Sequence, residues 1–243
     1  RIRNPELIKK IIESIESDFI EEPDGDIPSD LFSSIVGHNK IKAILTLAIK
    51  ADKPCHCLLI GPPASAKTMF LMELSRLPGS KYVLAPTMSG AGLSELLFVE
   101  KPKFLLIDEI DRLSGENLGT LNSLMATGRI CETKFRKTRE AILSTKVFAA
   151  GLRVKSLPRD LLSRFIKIKF NPYTRDEFIN VVTSLSHKEG ISKSTASLIA
   201  SSVWDISNEE SDVRQCIQIA RLTGDNVDRV KEVISILKRY GWR

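Results

Sequence analysis

The sequence predicts an α/β fold, with a parallel sheet covered by helices on both faces, followed by a small all-helical domain. Apolar runs of strand length, such as Phe104–Ile107 and Val147–Ala150, alternate with segments of helical periodicity. Because a strand without a polar face must be covered on both sides, this alternation is typical of parallel sheets. After Tyr173 the strand-like runs stop and only helical patterns follow. We expect the α/β domain to span residues 28–172 and the helical domain residues 173–243.

The individual elements follow from local periodicity and turn residues. Residues 1–27 combine an amphipathic helix over 5–19 with an acidic linker. Thr174–Glu177 has the pattern of a capping box and opens the helical domain. The predicted strands are Leu58–Ile60, Tyr82–Ala85, Phe104–Ile107, Val147–Ala150 and Ile166–Phe170. The predicted helices are Asn39–Lys50, Lys67–Leu77, Leu93–Phe98, Asn117–Ala126, 194–204, 212–222 and 226–240.

The composition is that of an ordinary globular protein, with 42% apolar and 27% charged residues among 243. No apolar run has the length of a transmembrane helix and the first residues lack a signal-peptide pattern, so we expect a cytoplasmic protein. The net charge of +6 permits an acidic partner such as nucleic acid without requiring one. Cys55-His56-Cys57 could be half of a metal site, but no second cluster has zinc-type spacing and Cys57 leads into an apolar run. We therefore favour a buried strand there.

A phosphate-binding loop is predicted between the strand that ends at Ile60 and the helix that begins at Lys67. In such a loop, backbone N–H groups surround the β-phosphate of ATP and the following helix adds its unpaired N-terminal donors. Lys67 would reach the β- and γ-phosphates, and the Thr68 hydroxyl would ligate Mg²⁺. Ala66 stands where the general pattern has Gly, and we expect a helix-compatible backbone to accept it there. The loop consists of Gly61, Pro62, Pro63, Ala64, Ser65, Ala66, Lys67 and Thr68.

Two carboxylates follow the apolar strand Phe104–Ile107. Asp108 would hold the water shell of Mg²⁺, as a phosphate site requires at the end of a strand. Glu109 would orient and deprotonate the water that attacks the γ-phosphate. The two acids could instead cap the next turn. Because they follow a phosphate-binding loop, we favour a Mg²⁺-dependent ATP hydrolase.

The segments Gly61–Thr68 and Phe104–Glu109 resemble the Walker A and Walker B motifs of AAA+ ATPases. Asp30–His38 resembles the adenine-side segment of this family, which implies that Ile35 and Val36 flank the base. The resemblance covers nearly the whole chain. It implies an AAA+ ATPase domain followed by a helical lid, in a subunit that forms a ring or another homo-oligomer.

The resemblance also assigns roles to two arginines. Leu157–Phe165 is similar to the segment that carries the arginine finger, which makes Arg164 the candidate. Asp212–Arg214 looks like the second sensor, so Arg214 would contact the γ-phosphate. A guanidinium can stabilise the charge that builds on the γ-phosphoryl oxygens. If Arg164 acts in trans, an isolated monomer hydrolyses ATP poorly; alternatively, either arginine could form a salt bridge.

One position departs from the family pattern. AAA+ proteins usually carry a polar residue, often Asn, at the tip of the strand matched by Val147–Ala150, whereas the tip here contains Leu152 and Arg153. Leucine cannot hydrogen-bond a phosphate or a water. Either hydrolysis is slow or Arg153 takes over part of the role, so nucleotide binding is a firmer expectation than fast turnover.

Residues 128–143 predict a β-hairpin with arms 129–133 and 138–143. It resembles the hairpin inserted at this point in two DNA motors, the Holliday-junction branch-migration ATPase and the minichromosome-maintenance helicase, which implies DNA as a partner. MoxR-type chaperone ATPases have a comparable hairpin and remodel proteins. A short basic hairpin is not specific and could be a solvated turn. Its basic residues are Lys134, Arg136, Lys137 and Arg139, with Phe135 among them.

Three functions therefore remain open. The first is a DNA motor of the helicase or branch-migration kind, and the second is a protein-remodelling ATPase. The third is a nucleotide-dependent assembly factor with weak hydrolysis, suggested by Leu152. No winged-helix segment follows Arg243, so we expect the C-terminal DNA-binding domain of branch-migration motors to be absent.

Overall fold

The computed structural model describes residues 27–134, 137–207 and 211–240, and the helix predicted over 5–19 lies outside these ranges. The strands are β1 His56–Ile60, β2 Ser80–Leu84, β3 Phe104–Asp108, β4 Arg129–Lys134, β5 Lys137–Ile142, β6 Lys146–Gly151 and β7 Phe165–Lys169. Five of them form a parallel sheet in the order β2-β3-β6-β1-β7. The other two, β4 and β5, form an antiparallel hairpin. The predicted strands are all present, with ends displaced by at most two residues.

Helices connect these strands and then continue alone. They are α1 Asn39–Lys50, α2 Lys67–Leu74, α3 Gly92–Glu100, α4 Gly115–Thr127, α5 Arg159–Ser163, α6 Arg175–Lys188, α7 Lys193–Ser207, α8 Val213–Thr223 and α9 Val227–Tyr240. The prediction that α2 extends to Leu77 is wrong. The residue before a proline avoids helical backbone angles, and Pro78 follows Leu77 directly. None of these helices is both long and apolar enough to cross a bilayer.

The sheet has an apolar core on each face, as the hydrophobic strands predict. Side chains alternate along each strand, so Leu105 packs with α3 and α4 while Leu106 packs with α1 and α2. All five residues of β3 are buried. The carboxyl ends of the neighbouring parallel strands β1, β3 and β6 therefore meet at one edge of the sheet.

Helices α6 to α9, called the lid below, enclose a third core around Phe178, Ile199 and Val203. The predicted capping box opens α6: the Thr174 hydroxyl accepts the Glu177 N–H at 3.4 Å, and the Glu177 carboxylate accepts the Thr174 N–H at 2.9 Å. The boundary predicted near residue 172 falls in the connection between β7 and α6.

Candidate nucleotide site

The predicted phosphate-binding loop leaves the carboxyl end of β1 and turns into α2. A Cβ atom at Gly61 would lie 2.7 Å from the Phe170 Cβ and 2.8 Å from its carbonyl oxygen, so only glycine fits there. Ala64 and Ala66 both adopt left-handed backbone angles, with φ of 58° and 65°. The expected helix-compatible backbone at Ala66 is therefore wrong. The loop reverses direction at this residue before the helix begins, which explains why glycine is the usual choice.

Lys67 lies beneath this loop with only 8% of its surface exposed. Its ammonium donates to the carbonyl oxygens of Gly61 and Pro62, at 2.8 and 2.5 Å, and to the Ser65 hydroxyl at 3.1 Å. Burial lowers the pKa of Lys67, while the nearby charge of Asp108 raises it. Two loop carbonyls and the Ser65 hydroxyl thus hold the positive charge of Lys67 within the loop.

The carboxylate of Asp108 is 7% exposed and accepts three hydrogen bonds. Its Oδ2 accepts the Thr68 hydroxyl at 2.8 Å and the Tyr82 hydroxyl at 3.1 Å. Its Oδ1 accepts the Glu109 N–H at 2.9 Å. The structure thus brings together Thr68 and Asp108, the two residues that the sequence proposes as metal ligands, and adds Tyr82, which sequence reasoning missed.

Glu109 begins the sharp turn after β3 with a left-handed φ of 53°. Its carboxylate is 44% exposed and forms an ion pair with Arg112 at 3.2 Å. Asp111 follows in the same turn, and its Oδ1 accepts the Leu152 N–H at 3.1 Å. Asp111 is a second residue that sequence reasoning missed. Its position three residues after Asp108 was the only signal in the sequence.

Two adjoining cavities border these residues. The larger, about 400 Å³, lies between residues 64–69 of the loop and the lid, with apolar walls from Tyr173, Val181 and Val213. The smaller, about 170 Å³, is polar and lined by Lys67, Thr68, Asp108, Glu109, Asp111, Arg112, Gly151, Leu152 and Arg214. The smaller cavity therefore offers charged and hydroxyl groups to a ligand, and the larger one offers apolar walls.

No protein-family model matches the chain. Over 177 residues the chain is 31% identical to the Holliday junction branch migration complex subunit RuvB of Nostoc punctiforme, covering 67% of the chain and 48% of that protein. RuvB of Campylobacter hominis is 29% identical over 188 residues, which are 71% of the chain and 55% of that protein. The solved RuvB branch migration motor of Thermotoga maritima matches with a TM-score of 0.64 at 22% identity, covering 83% of the chain and 70% of that structure.

The chain has the AAA+ P-loop fold and resembles RuvB. It spans about half the length of the curated RuvB proteins that it matches. The fold predicted from the alternating strands and the two motifs is thereby confirmed.

The AAA+ fold gives the two arginines different positions. Arg214 is the second residue of α8, lines both cavities and pairs with Asp212 at 2.8 Å, with 70% of its side chain exposed. Arg164 directly precedes β7, at the amino edge of the sheet, and donates to the Asn122 side chain at 2.8 Å. A five-residue strand, about 16 Å long, separates it from the phosphate edge. Arg164 is therefore too distant to contact a phosphate at the site of its own chain.

The two residues predicted to flank the adenine are packed into hydrophobic cores. Ile35 is 3% exposed and packs in the core next to α2, whereas Val36 is half-buried and packs against the lid core. Neither lines the two cavities described above. Their contact with a base stays a prediction.

The hairpin β4–β5 has the predicted arms. Among the four basic residues predicted at its tip, Arg139 is the one whose side chain the structure describes, and it already forms ion pairs. Arg139 pairs with Glu132 on β4 and with Glu95 on α3, and its guanidinium lies 4.5 Å from the centre of the Phe98 ring. Arg139 therefore anchors the hairpin to the α/β body. The side chains of Lys134, Arg136 and Lys137 lie outside the described part of the structure.

The Cys55-His56-Cys57 segment is built into the sheet. His56 is 6% exposed, and its Nδ1 accepts the Val147 N–H at 3.1 Å. Burial raises the pKa of Cys57 to about 12. Among the described residues, no group of three or more His, Cys, Asp or Glu side chains is placed to hold a metal ion.

Proposed function

We propose that this chain is an ATP-binding and ATP-hydrolysing AAA+ motor subunit that acts on DNA in a branch-migration-like process. One observation carries the proposal: Lys67, Thr68 and Asp108 converge beneath the loop at the carboxyl edge of the sheet. Hard oxygen donors are the ligands that Mg²⁺ prefers, and adjacent ligands around it lie about 3 Å apart. The 2.8 Å between the Thr68 hydroxyl and Asp108 fits that spacing.

The side chains would then act as follows. Lys67 exchanges its loop carbonyls for oxygens of the β- and γ-phosphates, and Thr68 turns its hydroxyl from Asp108 toward the metal. Bound Mg²⁺ would neutralise charge on the phosphate oxygens. Glu109 leaves Arg112 and accepts a proton from the attacking water. Arg214, which lines both cavities, contacts the γ-phosphate.

We further propose that Arg164 completes the site of a neighbouring subunit. Its position at the sheet edge opposite the loop supports action in trans. An oligomer with one site at each subunit interface follows from this arrangement. Its hydrolysis rate per subunit would rise with protein concentration until the oligomer is complete.

A second candidate is a protein-remodelling ATPase, and the engagement of Arg139 favours it. Because Glu95 and Glu132 neutralise this cation, the hairpin offers less free positive charge to a phosphate backbone than its sequence predicts. The two candidates share the ATP site and differ in their client.

ATP hydrolysis measured with and without four-way DNA at low salt separates them. A DNA motor is stimulated by the junction, and this stimulation weakens as salt rises because phosphate contacts release counterions. Stimulation by a folded protein client but never by DNA would replace the first candidate with the second. Absence of DNA binding at low salt would contradict the DNA-motor proposal, while leaving ATP hydrolysis intact.

A further inference from the structure

The tip of β6 faces the smaller cavity with an apolar side chain. Gly151 ends the strand, and Leu152 follows with 43% of its surface exposed. Leucine has no atom that can accept or donate a hydrogen bond. Arg153, the other residue at this strand tip, does not line the cavity, so a polar group that orients a water at this wall must come from a neighbouring element.

Asp111 is that neighbour, and the backbone of β6 is shaped to receive it. Its Oδ1 accepts the Leu152 N–H at 3.1 Å. A Cβ atom at residue 151 would lie only 2.8 Å from the same oxygen and 3.2 Å from the Ile110 side chain, so a larger residue there would displace the Asp111 carboxylate. Because Gly151 has no side chain, the Asp111 carboxylate can pack directly against the tip of β6.

The other oxygen of Asp111 is available to the cavity. Within the described part of the chain, the Leu152 N–H is the only hydrogen-bond donor to this carboxylate. Asp111 lines the smaller cavity together with Lys67, Thr68 and Glu109. Burial lowers the pKa of Lys67 and the negative charge of Asp111 opposes that shift, so the two groups lie within electrostatic range of each other. The turn after β3 therefore presents two carboxylates, Glu109 and Asp111, to one polar cavity.

We propose that Asp111 is a second catalytic carboxylate, which accepts a hydrogen bond from the attacking water while Glu109 takes the water's other proton. This inference rests on the ATP hydrolysis proposed above. The water oxygen forms a bond to the γ-phosphorus, and the bond from that phosphorus to the β,γ-bridging oxygen breaks. Its electron pair leaves with ADP, and one proton goes to Glu109. With both protons directed to acceptors, the water lone pair points at phosphorus.

The variant Asp111→Asn tests this role. Its side-chain carbonyl still accepts the Leu152 N–H, but its amide cannot accept a proton from water. We expect kcat to fall at least about tenfold, with ATP affinity changed by less than about twofold. Adding Leu152→Asn to this variant supplies a new acceptor at the strand tip and should restore part of the lost rate. Asp228→Asn, on the exposed side of α9, is the matched control and should leave kcat unchanged.

The outcomes separate this inference from the proposed function. If Glu109→Gln abolishes hydrolysis while Asp111→Asn retains the wild-type kcat, Asp111 has no catalytic role and the ATPase proposal stands. If Asp111→Asn lowers thermal stability and ATP affinity together and Leu152→Asn restores nothing, Asp111 only holds the strand tip. If the wild type binds ATP without hydrolysing it, both the hydrolytic proposal and the role of Asp111 fall.

Discussion

Ala66 holds a left-handed backbone directly before the lysine that would contact phosphate. A side chain in this conformation costs about 1–2 kcal/mol, and glycine removes that cost at some expense in unfolded-state entropy. We predict that Ala66→Gly raises the free energy of unfolding by about 0.5–1 kcal/mol, measured by urea denaturation. Ala43→Gly, in the exposed middle of α1, should instead lower it by about 1 kcal/mol. Equal losses in both variants would contradict the left-handed assignment.

Tyr82 orients the carboxylate that would serve the metal. Its hydroxyl donates to Asp108 at 3.1 Å, and burial raises the pKa of Tyr82 to about 12, so it stays a donor at neutral pH. We predict that Tyr82→Phe weakens ATP binding in the presence of Mg²⁺ by about threefold to tenfold, because a hydrogen bond to a charged group is lost. ATP binding measured in EDTA should change little. Tyr240→Phe, with Tyr240 75% exposed on α9, is the control.

For single residues of the candidate site, the sequence predicts those that lie inside a contiguous motif. It misses those that come from a distant part of the chain. Thr68 and Asp108 meet at 2.8 Å, and the roles of Lys67, Thr68 and Asp108 toward a nucleotide stay predictions. Tyr82 lies 26 residues before Asp108 and meets it only because β2 pairs with β3 in parallel. That pairing is a tertiary contact, which local periodicity does not encode.

At the scale of a single element, β1 begins with a buried histidine that joins it to β6. Burial lowers the pKa of His56 to about 4, although a hydrogen bond to the Met125 carbonyl opposes this shift. Since the unfolded chain binds this proton near pH 6.5, stability from His56 is fully present above that pH and is lost as the pH falls toward 4. Burial also lowers the pKa of His38, which acts in the same direction.

We predict that the free energy of unfolding falls by about 3 kcal/mol between pH 6.5 and 4 through His56. Denaturant titrations across this interval measure the slope. In His56→Gln the slope should be much smaller, since glutamine does not titrate, although the variant is less stable at neutral pH. His187→Gln, exposed at the end of α6, controls for the loss of a surface histidine. An unchanged slope in His56→Gln would contradict the buried neutral imidazole.

Across the whole molecule, the alternation of apolar strands and helices predicts a parallel sheet because only a doubly covered sheet buries such strands. The strand order β2-β3-β6-β1-β7 does not follow from that pattern. It depends on which strands each crossover places side by side, and β6 lies between β3 and β1 although more than 80 residues separate it from β1 in sequence. The position of Arg164 at the edge opposite the loop likewise emerges only from this topology.

The most direct test of the proposed ATP site is a calorimetric titration of ATP with Mg²⁺ into the wild type and Lys67→Ala. The control is Lys231→Ala, at an exposed position of α9. We predict measurable binding by the wild type and the control. Loss of a charge-assisted phosphate contact should weaken Lys67→Ala at least about tenfold. A wild type without affinity for ATP, or a folded Lys67→Ala with unchanged affinity, would contradict the account.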